Sequence, residues 1–225
     1  MCGRFALWAD REEIEAAFAV RLPAEPETGY NIAPSREVTA VRASREGDRE
    51  AAFLRWGLVP SWAKDPDSGY RMINARADTV FQKPAYRAAI RRRRCLIPAN
   101  AFFEWKRTEK GKQPYLIQLG GKEVFGLAGL WEYWQNRETG ETIQSCAILT
   151  TRPNRAMQEL HDRMPVIVSP QSYSLWLDPR VGEPDRIAPL LEPYPADEMR
   201  MHAISREVNN PTNDHPSMVR PLVSE

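Results

Sequence analysis

The chain has 225 residues, 42% hydrophobic and 27% charged, an ordinary globular composition that excludes disordered, collagen-like and membrane-embedded classes. Its 31 lysines and arginines against 30 aspartates and glutamates leave a formal net charge of +1, so any contact with nucleic acid must come from a local basic patch. Three cysteines, at positions 2, 95 and 146, are too few and too scattered for a disulfide framework or a zinc cluster.

The odd cysteine count points to a reducing compartment. No apolar run approaches the roughly 18 residues of a membrane span. The start, Met1-Cys2-Gly3-Arg4-Phe5, lacks a signal-peptide core. A cytoplasmic protein without a membrane partner is expected.

After the short apolar run Phe5 to Trp8, Asp10 with Glu13 three residues on predicts a capped helix of about ten residues carrying Ile14, Ala17 and Phe18, ended by Pro23, Pro26 and Gly29. Val38 to Ala43 and Ala51 to Leu58 flank a polar turn and predict a hairpin. Pro84 fits the first turn of a helix over Ala85 to about Arg92. Short strands are predicted at Cys95 to Ile97, Ala101 to Trp105, Tyr115 to Leu119, Val124 to Leu130 and Cys146 to Thr150. Asn154 caps a predicted helix running to about His161, and Pro165 to Val168 resumes extended structure. Weaker helical patterns cover Ser172 to Leu177 and Asp185 to Leu191, and Met199 to Ile204 reads as a final strand. Many short strands without βαβ alternation predict one α+β domain over residues 1–225 on a largely antiparallel or mixed sheet, with a loop-like, partly mobile tail from about 209.

Cys2 is the most informative residue. If Met1 is removed, it carries an α-amine and a thiol on adjacent carbons. An α-amine has a pKa of about 7.7–8.0, so a useful fraction is unprotonated at neutral pH. Such an amine condenses with an aldehyde to a Schiff base, and the neighbouring thiol then closes a five-membered thiazolidine. Neither a lysine nor an internal cysteine performs both steps. The competing reading is a cysteine simply buried by an N-terminal strand.

Other segments carry chemical options beside bland ones. Tyr30-Asn31-Ile32-Ala33-Pro34 alone signals a turn. In Trp56-Gly57-Leu58-Val59-Pro60-Ser61-Trp62, Trp56 reads as core and Trp62 as a surface wedge or stacking platform. Asn74 offers an amide and Arg76 a phosphate contact; local capping and surface charge are the alternatives. Glu104, in the aromatic strand Phe102-Phe103-Glu104-Trp105-Lys106, suits acid–base work if desolvated, or pairs with Lys106 or an arginine. His161, before Arg163 and the stop at Pro165, titrates near neutrality or caps a helix. Arg91-Arg92-Arg93-Arg94 is either a solvated helix end or a phosphate-facing surface.

In this order, these motifs resemble the SOS response-associated peptidase (SRAP) family, strongly from Cys2 to about His161 and more weakly through Val208-Asn209 to the C-terminus. The resemblance implies a central mixed or antiparallel β-barrel-like sheet with peripheral helices and a positive groove for single-stranded DNA. It implies self-processing removal of Met1, then a thiazolidine crosslink between Cys2 and a ring-opened abasic sugar that shields the lesion from strand breakage. The implied catalytic set is Cys2, Asn74, Glu104 and His161, and the implied DNA contacts are Arg4, Trp62, Arg76 and Arg163. A monomer with neither metal nor cofactor is expected, acting on single-stranded DNA that contains abasic sites and nucleoid-associated when bound, with lyase activity as a further outcome. Two other readings stand beside it: an N-terminal nucleophile hydrolase of the glutamine amidotransferase type, and a non-catalytic single-stranded DNA-binding module.

Overall fold

The computed structural model describes residues 2–121 and 124–222. Its first eight strands are β1 (Phe5–Leu7), β2 (Gly29–Ile32), β3 (Glu37–Ala43), β4 (Arg49–Trp56), β5 (Asn74–Arg76), β6 (Arg94–Ala99), β7 (Ala101–Thr108) and β8 (Gly111–Leu119). Five more follow: β9 (Phe125–Gln135), β10 (Thr142–Thr151), β11 (Met164–Pro165), β12 (Ile167–Val168) and β13 (Met199–Ala203). The predicted α+β class holds, built on a closed five-stranded barrel.

The barrel runs β10-β4-β3-β6-β9 and closes because β9 also pairs with β10. Only β10 with β4 is parallel on this circuit; the hairpin β3–β4 and the pairs β3–β6, β6–β9 and β9–β10 are antiparallel. Every residue of β6 is buried, as closure on both faces requires. Gly129 is fixed by packing: a Cβ there would lie 2.7 Å from Cys95 Sγ. Cys95 and Cys146 are buried free thiols in this core.

A second, antiparallel sheet runs β13-β8-β7-β1-β2. Its strands alternate between two cores, as period-two side chains must. Phe5, Phe102 and Ile117 join the main core, while Ala6, Phe103 and Leu116 pack a smaller one with Ile204, Val208 and Met218. Glu104 follows Phe102 by two residues and so faces the main-core side.

The helices are less extensive than their sequence signals. Helix α1 (Arg11–Phe18) carries the predicted reciprocal cap, Glu13 N–H to Asp10 and Asp10 N–H to Glu13, but ends at Ala19 in a left-handed conformation before any proline. The predicted helix over 85–92 is only α2 (Ala89–Arg92), preceded by overlapping turns. Asn154 does accept from Met157 N–H at 3.0 Å, yet one 3-10 turn (Met157–Glu159) follows rather than a helix to His161. No helix among the described residues is long and apolar enough to cross a membrane.

The basic run divides by burial. Arg94 is 2% exposed, donates to the carbonyls of Ile90, Trp176 and Asp178, and stands over the Trp176 ring; burial lowers its pKa to about 10. Arg93 pairs with Glu132 at 2.7 Å, while Arg91 and Arg92 are exposed. Arg94 is therefore neither a solvated helix end nor a phosphate contact but a bolt between β6 and the segment 176–178. Arg94→Ala should cost about 3 kcal/mol by stranding buried carbonyls, whereas Arg92→Ala should stay within about 0.5 kcal/mol. Urea midpoints at unchanged slope would measure both, and equal midpoints would contradict the division.

Candidate active site around Cys2

Cys2 lies just before β1 and is fully buried. Its thiol lies 3.8 Å from the Arg4 carbonyl, which also accepts from Phe103 N–H at 3.1 Å, so the segment preceding β1 is laid along β7. The plain reading of Cys2, burial beside an N-terminal strand, thus holds for the thiol. Burial pushes that thiol well above its ordinary pKa, and nearby Glu104 adds to the shift, so it is held protonated.

Asn74 opens β5, a three-residue strand paired parallel to β10 with Ile148 opposite Asn74. From there Asn74 Nδ2 donates to the Cys2 carbonyl at 2.9 Å. This uses one side of the amide; Asn74 Oδ1 is buried and has no hydrogen-bond partner among the described residues. Tyr86 steadies the strand by donating to the Asn74 backbone carbonyl at 3.1 Å.

Glu104, on β7 opposite Tyr115, is 2% exposed. Burial raises its pKa, partly offset by nearby His161. Lys106, one of the partners expected for it, instead reaches Glu159 at 3.3 Å. His161 is 30% exposed in its side chain. Its Nδ1 lies 3.0 Å from Arg163 N–H and 2.7 Å from Asp162 Oδ1. The amide needs a bare Nδ1 and the carboxylate one that carries a hydrogen, so the two contacts call for different tautomers of the ring. Cys2, Asn74, Glu104 and His161 thus form one connected neighbourhood.

Beside it runs a groove of about 810 Å³ lined by Arg76, Trp105, Arg107, His161 and Arg163. A depression of about 930 Å³ beside α1 is lined by neither Cys2 nor any of these residues. Arg76 is well exposed and pairs with Asp78 at 3.1 Å. Arg163 is mostly buried, donating to the Thr150 carbonyl and pairing with Asp78 at 3.1 Å. Burial pushes the Asp78 carboxyl up, but the Arg76 hydrogen bond and Arg163 hold it below the ordinary range.

The remaining two expected contacts lie elsewhere. Arg4 turns its guanidinium to Asn31 and the Val208 carbonyl. Trp62 stands 66% exposed on the loop after β4, outside the groove lining. That loop is locked at its base, because Gly57 (φ 134°) and Gly69 approach too closely for any Cβ. Trp56, by contrast, is core, tilted against Phe5 and donating to the Ile73 carbonyl. Sequence reasoning gave no role to Asn31, Asp78, Trp105 or Arg107; Asn31 and Trp105 sit inside quoted motifs, but only the fold brings these residues to Arg4 or to the groove and its arginines.

The buried Cys2 is thus joined to an amide and stands beside a desolvated carboxyl and an imidazole. The family model described as SOS response associated peptidase (SRAP) matches residues 1–211. The chain belongs to that family. It is 42% identical to the abasic site processing protein YoqW of Bacillus subtilis, over 97% of this chain and 99% of that one. It is 31% identical to the abasic site processing protein HMCES of Xenopus tropicalis, over 78% of this chain and 58% of that one. A solved protein of Bacteroides thetaiotaomicron superposes with a TM-score of 0.89 at 25% identity, covering 99% of this chain and 100% of that one. One from Bordetella bronchiseptica gives 0.78 at 27%, covering 91% and 100%.

The raised pKa of Glu104 has a consequence for stability. A carboxyl whose folded pKa exceeds its unfolded one stabilises the fold below the unfolded value, near 4.3, and loses that contribution as pH rises through the folded value. Glu104→Gln removes the ionisation, so its melting temperature should exceed wild type at pH 8 and the difference should close below about pH 4. A pH-independent difference would exclude a desolvated carboxyl.

Proposed function

We propose that this protein processes abasic sites in single-stranded DNA by bonding Cys2 covalently to the ring-opened sugar. The observation that carries the reading is Cys2 itself, bound to Asn74 and flanked by Glu104 and His161. The relatives' printed names, abasic site processing proteins, agree with it.

Hydrolysis of the Met1–Cys2 peptide bond frees the α-amine. The amine attacks the aldehyde of the open sugar, the carbinolamine loses water, and an imine forms. The thiol then adds across the C=N bond, sulfur to carbon and its proton to nitrogen, closing a thiazolidine. The hydrolysis consumes one water, formation of the crosslink releases one, and nothing is oxidised or reduced.

The order follows from the thiol. A buried, protonated sulfhydryl is a poor first nucleophile, so the amine attacks and the sulfur follows once the imine carbon is adjacent. An amidotransferase of the N-terminal nucleophile type needs the sulfur to attack first, which this environment disfavours. Glu104, held protonated to higher pH than an exposed glutamate, supplies the proton that expels water from the carbinolamine. Asn74 Oδ1 is an acceptor for an N–H of the amine or a sugar hydroxyl. His161, at the groove, assists opening of the sugar ring. Arg76 and Arg163 face phosphates, with Asp78 exchanged for the DNA, and Trp62 wedges against flanking bases. The DNA-bound protein acts as a monomer in the cytoplasm.

Protein lacking Met1, mixed with an abasic oligonucleotide, should gain one strand less one water in intact mass. Cys2→Ala should abolish the adduct while reversible binding survives, and protein retaining Met1 should be inert. Glu104→Gln should slow adduct formation about 100-fold near neutral pH and remove the alkaline fall in rate. An adduct surviving Cys2→Ala would overturn the reading.

A further inference from the structure

Asn31 has no place in the chemistry above, yet it is fully buried and uses both ends of its amide. Oδ1 accepts from Arg4 Nη1 at 2.5 Å. Nδ2 faces three carbonyls of the C-terminal segment, Val208 at 3.3 Å, Asn210 at 3.0 Å and Asn213 at 2.8 Å. Arg4 Nη1 also donates to the Val208 carbonyl at 2.7 Å. The segment is held from outside as well, by Tyr30 N–H and Arg36 on the Asp214 carboxylate.

The same segment reaches β7. Asn209 Oδ1 accepts from Trp105 Nε1 at 2.7 Å, one residue from Glu104. One turn of chain, 208–213, therefore touches both segments that carry the chemistry: through Asn31 and Arg4 it reaches Cys2, and through Asn209 and Trp105 it reaches Glu104. Arg4 is pinned at both ends, its carbonyl to Phe103 N–H and the Cys2 thiol, its guanidinium to Asn31 and Val208. With Nη1 so engaged and Nε buried, only Nη2 is left for a phosphate.

We infer that Asn31, with the C-terminal turn it holds, is a positioning residue for the Cys2 nucleophile, acting through Arg4 rather than by touching DNA. The inference rests on the crosslinking reaction proposed above. Its physical basis is that the amine must meet the aldehyde, and the thiol the imine, in a narrow range of geometry, where a displacement of about 1 Å costs on the order of 100-fold in rate.

The test is the rate of adduct formation on an abasic oligonucleotide by full-length protein lacking Met1, over a range of DNA and salt concentrations and well below the melting temperature. Asn31→Ala should lower the rate at saturating DNA by about 100-fold, leaving the half-saturating DNA concentration unchanged. Arg4→Lys keeps the charge but not the fork, so it should also lower the saturating rate, with half-saturation and salt dependence unaltered. The double variant should lose no more than the worse single, because both break one chain of contacts. If Arg4→Lys restores wild-type rates, or if Asn31→Ala leaves the saturating rate intact, the inference is overturned; should Asn31→Ala fail to fold, Arg4→Lys decides alone. Wild-type protein giving no adduct would instead refute the reaction itself.

Discussion

The hydrogen bond from Asn74 Nδ2 to the Cys2 carbonyl ties together two parts of the molecule that have little else in common. Asn74 belongs to a three-residue strand on the barrel strand β10, whereas Cys2 leads into the second sheet. The site exists because the two sheets meet there. A strand as short as β5 has few ladder bonds of its own, so its position depends on β10 and on the Tyr86 hydroxyl beneath it. Anything that shifts β5 along β10 by one residue turns Asn74 to the other face and removes the bond.

The same junction explains why an acid and a thiol both have raised pKa values. Both are desolvated by the core that closes around them, and the Glu104 carboxylate further disfavours ionisation of the thiol. That core is the one the barrel needs in any case, with Phe5, Phe102 and Trp56 packed through it. The raised pKa values are therefore a by-product of where a polar pair is placed in an otherwise apolar interior.

The arginines divide along similar lines. Arg94 bolts β6 to the segment at 176–178, Arg4 locks onto Asn31, and Arg163 is largely occupied by Thr150 and Asp78. Arg76 and Arg107 keep their heads nearer the groove. Chain-wide charge is near neutrality, so the electrostatic field that matters is set by which guanidinium groups the fold has already satisfied. Asp78 shows this locally, since two arginines share it.

Sequence alone determined the elements whose causes are local. The reciprocal cap of α1, the β3–β4 hairpin, the strand at Met199 and the buried Trp56 follow from neighbours within a few residues. The motifs also marked the positions of Cys2, Asn74, Glu104 and His161. Tertiary structure decided the rest. It alone showed that Arg94 is interior, that the helix signals at 85–92 and 154–161 yield to short turns, and that Asn31 binds a segment almost two hundred residues away. Those outcomes depend on which backbone carbonyls end up without water, and a carbonyl's exposure is a property of the closed barrel and its attached sheet, not of the residues beside it in the chain.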